Sequence, residues 1–360
     1  MADNRIRRQA SVLASLPEGA DALLVTHLPN IRWLTGFTGS AALLVIAPAR
    51  CTLITDFRYA GQAPQEVGSA AEVLIDRVSV WDRLRRVLEA GAFASLAIES
   101  QVLTVRDAER VAGMFRGRIV PAFDLVEQLR QVKDDTEVAA IRAAAALASE
   151  ALAAVLPTVS AGDRELDVAA RLESALRLRG SEWHPFQTIV ASGPRAALPH
   201  ARSSDRIVER GDLLLIDFGA QVDGYCADIT RTVGIGSLDE RQQVVYDLVR
   251  EAQLRARSGL HSGMTGREGD ALARDVIAAR GYGDAFGHSL GHGLGLEVHE
   301  APRLAATADA ILPAGAVVTV EPGIYLQGWG GVRLEDDVWL GPAGPVLLSD
   351  GRTDLIILDA

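Results

Sequence analysis

Apolar positions in the first third of the chain change period repeatedly. Residues 4–16, NRIRRQASVLASL, space them three and four apart and predict an amphipathic helix. DALLVTH (21–27), SAALLVIAP (40–48) and CTLITDF (51–57) are short apolar runs, the last two parted by a Pro-Ala-Arg turn, and predict strands. A helix follows around WDRLRRVLEA (81–90), then a strand in ASLAIES (94–100) and a helix in VRDAERVAGMF (105–115). This alternation is enough for a small α/β domain of its own. From residue 134 the character changes. DDTEVAAIRAAAALASEALAAVLPTV predicts a long alanine-rich helix with Asp135 or Thr136 as N-cap and Pro157 near its end. RELDVAARLESALRLRG predicts a second helix stopped by Gly180, and helices near 239–258 and 266–279 interrupt an otherwise strand- and glycine-rich remainder. The boundary falls near 125–134, giving expected domains at 1–130 and 131–360.

The second domain carries the chemistry. LLLIDFGAQVDGYCADITRTV (213–233) reads as a hairpin turning at Asp223-Gly224, a dipeptide suited to a type I′ turn. That register sets Asp217 opposite Thr230, with Asp228 its diagonal neighbour on the same face, roughly 7–8 Å away. Asp217 interrupts an apolar run, where an uncompensated carboxylate is costly. The plain alternative is that one of these acids pairs with Arg231 or caps a turn. AVVTVEPGIYL ends a β-branched run on Glu321, and GVRLEDDVWL alternates as one strand with Arg333, Glu335 and Asp337 on a common face. GHSLGHGLGLEVHE (287–300) adds His288, His292 and His299, three of the chain's seven histidines. Its spacing is neither His-Glu-x-x-His nor a dinucleotide-binding glycine loop. One histidine with four carboxylates is an oxygen-rich set, suited to manganese, cobalt, zinc or iron rather than to structural zinc. Four carboxylates also balance two divalent ions.

Composition narrows the classes. A net charge of −11 argues against nucleic acid and anionic membranes as partners. Two cysteines, Cys51 and Cys226, form no disulfide framework, and no secretory signal or 18-residue apolar run is present. A cytoplasmic protein is expected.

Asp217 and Asp228 eleven apart, His292, Glu321 in VEPGIY and Glu335 in VRLEDD together resemble the metal set of the creatinase/aminopeptidase "pita-bread" superfamily. GHGLGLEVHEAP, LPHARSSD and DGYCADITRT resemble its Xaa-Pro peptidases. NIRWLTGFTGSAALLVI and LITDFRYAGQA resemble their N-terminal domain, and LRQVKDDTEVAAIRAAA their connecting helix. The resemblance implies an α/β (α+β) chain, an N-terminal creatinase-like α/β domain followed by a C-terminal pita-bread metallopeptidase domain. It implies two divalent ions per subunit, manganese favoured, held by Asp217, Asp228, His292, Glu321 and Glu335, with Asp228 and Glu335 bridging. It further implies that Glu321 shuttles a proton, that His200 and His299 contact the substrate, that Arg333 supports the site and that His288 lines the pocket near proline. The activity implied is hydrolysis of an Xaa-Pro bond at the N-terminus of peptides by a homodimer, with a dipeptide-restricted prolidase as the alternative. A non-catalytic peptide-binding member is disfavoured because all five ligands are kept, and a methionine aminopeptidase because of residues 1–130. SEWHPFQTIV (181–190) departs from the family's pattern, which leaves the specificity wall it forms open. Of the arginines near the motifs, Arg202, Arg303 and Arg333, none is evidently committed to a proline-side carboxylate. An Xaa-Pro-Yaa tripeptide is therefore expected to be cleaved at least as well as Xaa-Pro.

Overall fold

The computed structural model describes residues 2–359 and divides into two compact units, Met1–Arg130 and Gln131–Ala360. In the first, the strands run in the order Glu72–Asp76, Arg50–Asp56, Ala42–Ala47, Ala22–Val25, Ser95–Glu99 and Arg118–Ala122. The two central pairings are antiparallel and the flanking ones parallel. The helices Val80–Gly91 and Val105–Met114 start at Ser79 and Thr104, whose hydroxyls accept N–H bonds from Asp82 and Asp107. Leu84, Leu88 and Val111 then pack on Leu24, Val45 and Ile98 of the sheet. Period and capping made these helices legible. The edge strands at 72–76 and 118–122 were not anticipated; both are only partly buried, so their apolar contrast is weak.

The second unit is built from two helix-covered sheets. In one, Ile357–Leu358, Ile229–Ile235, Leu213–Phe218 and Ile189–Ser192 lie side by side. The helices Asp135–Val155 and Glu165–Leu178 cover it, with Ala144, Ala148, Ala151 and Leu172 against Leu214, Ile216 and Phe218. Small residues let the long helix approach closely. The run Asp135–Thr158 is long and apolar enough to cross a membrane by length and composition, yet here it is a core helix. Its N-cap is Asp134 rather than Asp135 or Thr136. Asp134 accepts the Thr136 and Glu137 N–H groups while the Glu137 carboxylate reaches back to the Asp134 N–H, a capping box that fixes the start one residue earlier.

In the other sheet the order is Glu300–Leu304, Gly291–Gly293, Val317–Val320, Asp336–Gly341 and Gly344–Leu347. The helices Glu240–Gly259 and Gly266–Ala279 pack over it, Val245, Val249, Ala273 and Ile277 meeting Val318, Val320 and Val338. Gly323–Leu326 and Gly330–Arg333 form a separate two-stranded ribbon. GVRLEDDVWL is therefore not one strand. It breaks at Leu334-Glu335, where the chain passes from the ribbon to the five-stranded sheet.

Candidate metal centre and its cavity

That break has a partner. The strand Val317–Val320 ends at Glu321-Pro322, where proline offers no N–H to a ladder. The pairing register nonetheless carries through: Val320 lies opposite Asp336 on one side and Gly323 opposite Arg333 on the other. Glu321 is thereby set across from Glu335. Like charges directly opposed repel, and here both carboxyls are buried deeply enough to feel it in a low dielectric. The expected hairpin supplies the other two acids. Thr230 pairs with Asp217, and Asp223 and Gly224 both take positive φ, 49° and 75°. Asp228 enters just before the strand Ile229–Ile235, buried to 5% exposure, with its N–H donated to Asp337 Oδ2 at 3.2 Å.

His292 occupies the second strand of the other sheet, between Glu300–Leu304 and Val317–Val320. A Cβ at Gly291 would collide with the Thr319 carbonyl, and one at Gly293 with that of Ala301, so glycine on both sides is what allows this strand its place. The His292 Nδ1 faces the Gly293 carbonyl at 3.0 Å, which assigns the proton to Nδ1 and leaves the Nε2 lone pair free. Nε2 points at acids, 3.5 Å from Glu321 Oε1 and 3.7 Å from Asp228 Oδ2. Ligand atoms of Asp228, His292 and Glu335 all lie within 4.8 Å of one another. Asp217 stands outside that trio, its Oδ2 taking the Arg333 Nη2–H at 2.5 Å while its buried Oδ1 has no hydrogen-bond partner. Arg231, the plain partner considered for these acids, instead pairs with Asp336 and Asp350.

Burial raises the carboxyl pKa values of Asp228 and Glu321 well above the ordinary range, and the neighbouring carboxylates push further the same way. The same causes bring Glu335 to about 8, and Asp217 is raised by burial although Arg333 opposes the rise. Burial lowers His292 and His288 to about 4, so both imidazoles are neutral at pH 7. Acids that repel one another, an orphaned buried carboxylate oxygen and a neutral imidazole facing them fit a divalent cation.

Chelation should consequently expose a pH dependence. A group whose folded pKa is raised stabilises fully below its unfolded value, 4.5 for Glu335, and loses that contribution as pH climbs through about 8. Chelated protein should melt at a higher temperature at pH 5 than at pH 8, by roughly 3–6 °C, the response of a domain this size to about 1–2 kcal/mol. Calorimetry of chelated and metal-restored protein checks it; chelated protein equally stable at both pH values would contradict this electrostatic picture.

The nine residues given site roles from the sequence, His200, Asp217, Asp228, His288, His292, His299, Glu321, Arg333 and Glu335, line one cavity of about 680 Å³. His299 stands with its ring 4.3 Å from that of His292, and its pKa is lowered by burial and by nearby His200. Sequence reasoning gave no role to Tyr325, whose hydroxyl accepts from Arg333 Nη1 at 3.0 Å and lies 2.8 Å from His288 Nε2. With His288 Nδ1 at the Ser289 carbonyl, the direction is set: Arg333 donates to Tyr325, which donates to His288. Nor did it use Thr230, which donates to Glu335 Oε2 at 2.6 Å, or Asp337, buried with Oδ1 unpartnered. Arg303, directly paired with His292 across the sheet, lines the cavity, whereas Arg202 does not.

Buried acids, neutral imidazoles and a peptide-sized cavity between two helix-backed sheets define a metal-dependent hydrolase. Residues 139–342 match metallopeptidase family M24, and residues 11–132 match the creatinase/prolidase N-terminal domain. The peptidase YqhT of Bacillus subtilis is 42% identical over 349 residues, covering 94% of this chain and 96% of its own. An Xaa-Pro dipeptidase from Bacillus anthracis superposes with a TM-score of 0.95 at 39% identity, over 99% of this chain and 100% of that one. An X-Pro aminopeptidase from Thermotoga maritima does so at 0.89 and 40% identity, over 94% and 98%. The chain belongs to metallopeptidase family M24, whose members work with divalent metal ions.

Proposed function

We propose that this metallopeptidase is an Xaa-Pro dipeptidase, a prolidase, holding two divalent ions between Asp217, Asp228, His292, Glu321 and Glu335. The observation that carries the dipeptide restriction is Arg303, which lines the cavity opposite His292 and takes no hydrogen bond or ion pair among the described residues. A free guanidinium there suits the carboxylate that follows proline in a dipeptide, by two parallel N–H bonds. Arg333 is unavailable for this because Asp217, Tyr325, Thr230 and the Pro199 carbonyl already occupy it. The open site expected from sequence rested on no arginine being evidently committed to that carboxylate, and the place of Arg303 on the cavity wall supports one that is.

When bound, the ions supply Lewis acidity toward the scissile carbonyl and acidify water. Manganese, cobalt and zinc suit this donor set, with manganese favoured by the resemblance. Glu321 takes the proton released by the attacking water and delivers it to the proline nitrogen, which cannot leave unprotonated. His299 and His200 donate to the developing oxyanion, and His288 walls the proline pocket. A cytoplasmic homodimer belongs to the same proposal; both cysteines are free, in keeping with a reducing compartment.

The second reading, an Xaa-Pro aminopeptidase, is favoured by the Thermotoga maritima neighbour and by a cavity roomier than a dipeptide requires. Ala-Pro against Ala-Pro-Ala separates the two. The dipeptide should be preferred, and Arg303→Met should lower its kcat/KM by about tenfold to a hundredfold, the worth of a charged hydrogen bond, while tripeptide cleavage changes little. Efficient tripeptide cleavage, indifferent to Arg303, would establish the aminopeptidase.

A further inference from the structure

One of the chain's 36 basic residues is a lysine, Lys133; the other 35 are arginine. That single ammonium is not on the surface. Its side chain is 1% exposed, and its Nζ lies 3.0 Å from Glu300 Oε2, itself 7% exposed. The other Glu300 oxygen, Oε1, accepts the Glu297 N–H at 3.1 Å. The carboxylate also lies against Gly295, where an added Cβ would come within 2.7 Å of both oxygens. The Lys133 main chain is tied down in turn, its N–H donated to the Gly315 carbonyl. Gly295 and Glu297 close on this one carboxylate, and the segment they begin presents Val298, His299 and Arg303 to the cavity.

Glu300 lines the same cavity three residues from Arg303. An acid so placed has an obvious alternative partner in that free guanidinium. The buried Lys133 ammonium, a compact point charge 3.0 Å from Oε2, holds the acid away from it. We infer that Lys133 is a positioning residue that sequesters Glu300 and so keeps Arg303 available for the substrate's carboxylate. The inference rests on the dipeptidase reading of Arg303.

Lys133→Met takes the ammonium away from Glu300, and the carboxylate turns to Arg303. KM for Ala-Pro then rises about tenfold or more, the scale of one charged hydrogen bond, with kcat little changed. KM for Ala-prolinamide, which lacks the carboxylate, stays at the parent value. Lys133→Met/Glu300→Gln removes both charges and returns KM for Ala-Pro to within a few-fold of the parent, a rescue that a merely structural pair would not produce. A parent enzyme indifferent to the carboxylate overturns the dipeptidase reading and this inference with it. A parent that prefers Ala-Pro, with a Lys133→Met variant of unchanged KM or a double variant left unrescued, overturns this inference alone. Should Lys133→Met fail to fold, the parent still decides. Labelled with ¹⁵N-lysine it gives one side-chain signal, expected to exchange slowly with water; exchange at the rate of a free amine would mean that the ion pair does not hold.

Discussion

Glu335→Gln and Asp228→Asn should each strip the protein of bound metal and cut hydrolysis of Ala-Pro by about a thousandfold or more, the loss of several kcal/mol of charge stabilisation. Both carboxyls are buried, at 2% and 5% exposure, and with His292 they bring ligand atoms within 4.8 Å of one another. Neither amide can offset a divalent charge. The same variants should make the chelated protein more stable at pH 8, since each removes one partner of a mutual repulsion. Metal content by mass spectrometry, read beside turnover, checks both halves. Full occupancy with normal turnover in either variant would end the two-metal proposal.

His299→Ala and His200→Ala should behave differently, keeping metal while losing turnover. Each would remove one donor to the developing oxyanion, typically worth about 2.7–4 kcal/mol, or roughly a hundred- to thousandfold in rate. His299 packs its ring 4.3 Å from that of His292, so metal content must be measured on that variant to separate lost chemistry from a displaced ligand. Unchanged turnover in both would assign the two histidines to packing.

Local rules account for what the sequence disclosed. The Asp223-Gly224 turn and strict alternation set Thr230 opposite Asp217, because both ends of that inference lie within one hairpin. Acids interrupting apolar runs marked Asp217 and Glu321, since burying charge is too costly to be incidental. The break at Leu334-Glu335 was hidden because alternation continues across it; what divides the strand is pairing with two different sheets, which no local pattern records. Arg202 and Arg303 read alike for the same reason. Only the tertiary fold puts one on the cavity wall and leaves the other off it. Tyr325 sat in plain view after Glu321, but its role depends on Arg333 and His288 arriving from other segments.

The opposed glutamates at the crossing between ribbon and sheet bear on how this protein could evolve. Selection for hydrolysis maintains acids there whose repulsion weakens the metal-free chain, so activity is held against the fold's own preference. Exchanging one of them for an amide or an apolar residue relaxes that tension. A lineage released from catalysis would gain robustness with its first losses while keeping the cavity and the histidines around it. Becoming a peptide-binding protein is therefore downhill. The way back is steep, because no single restored acid is rewarded until its companions have returned.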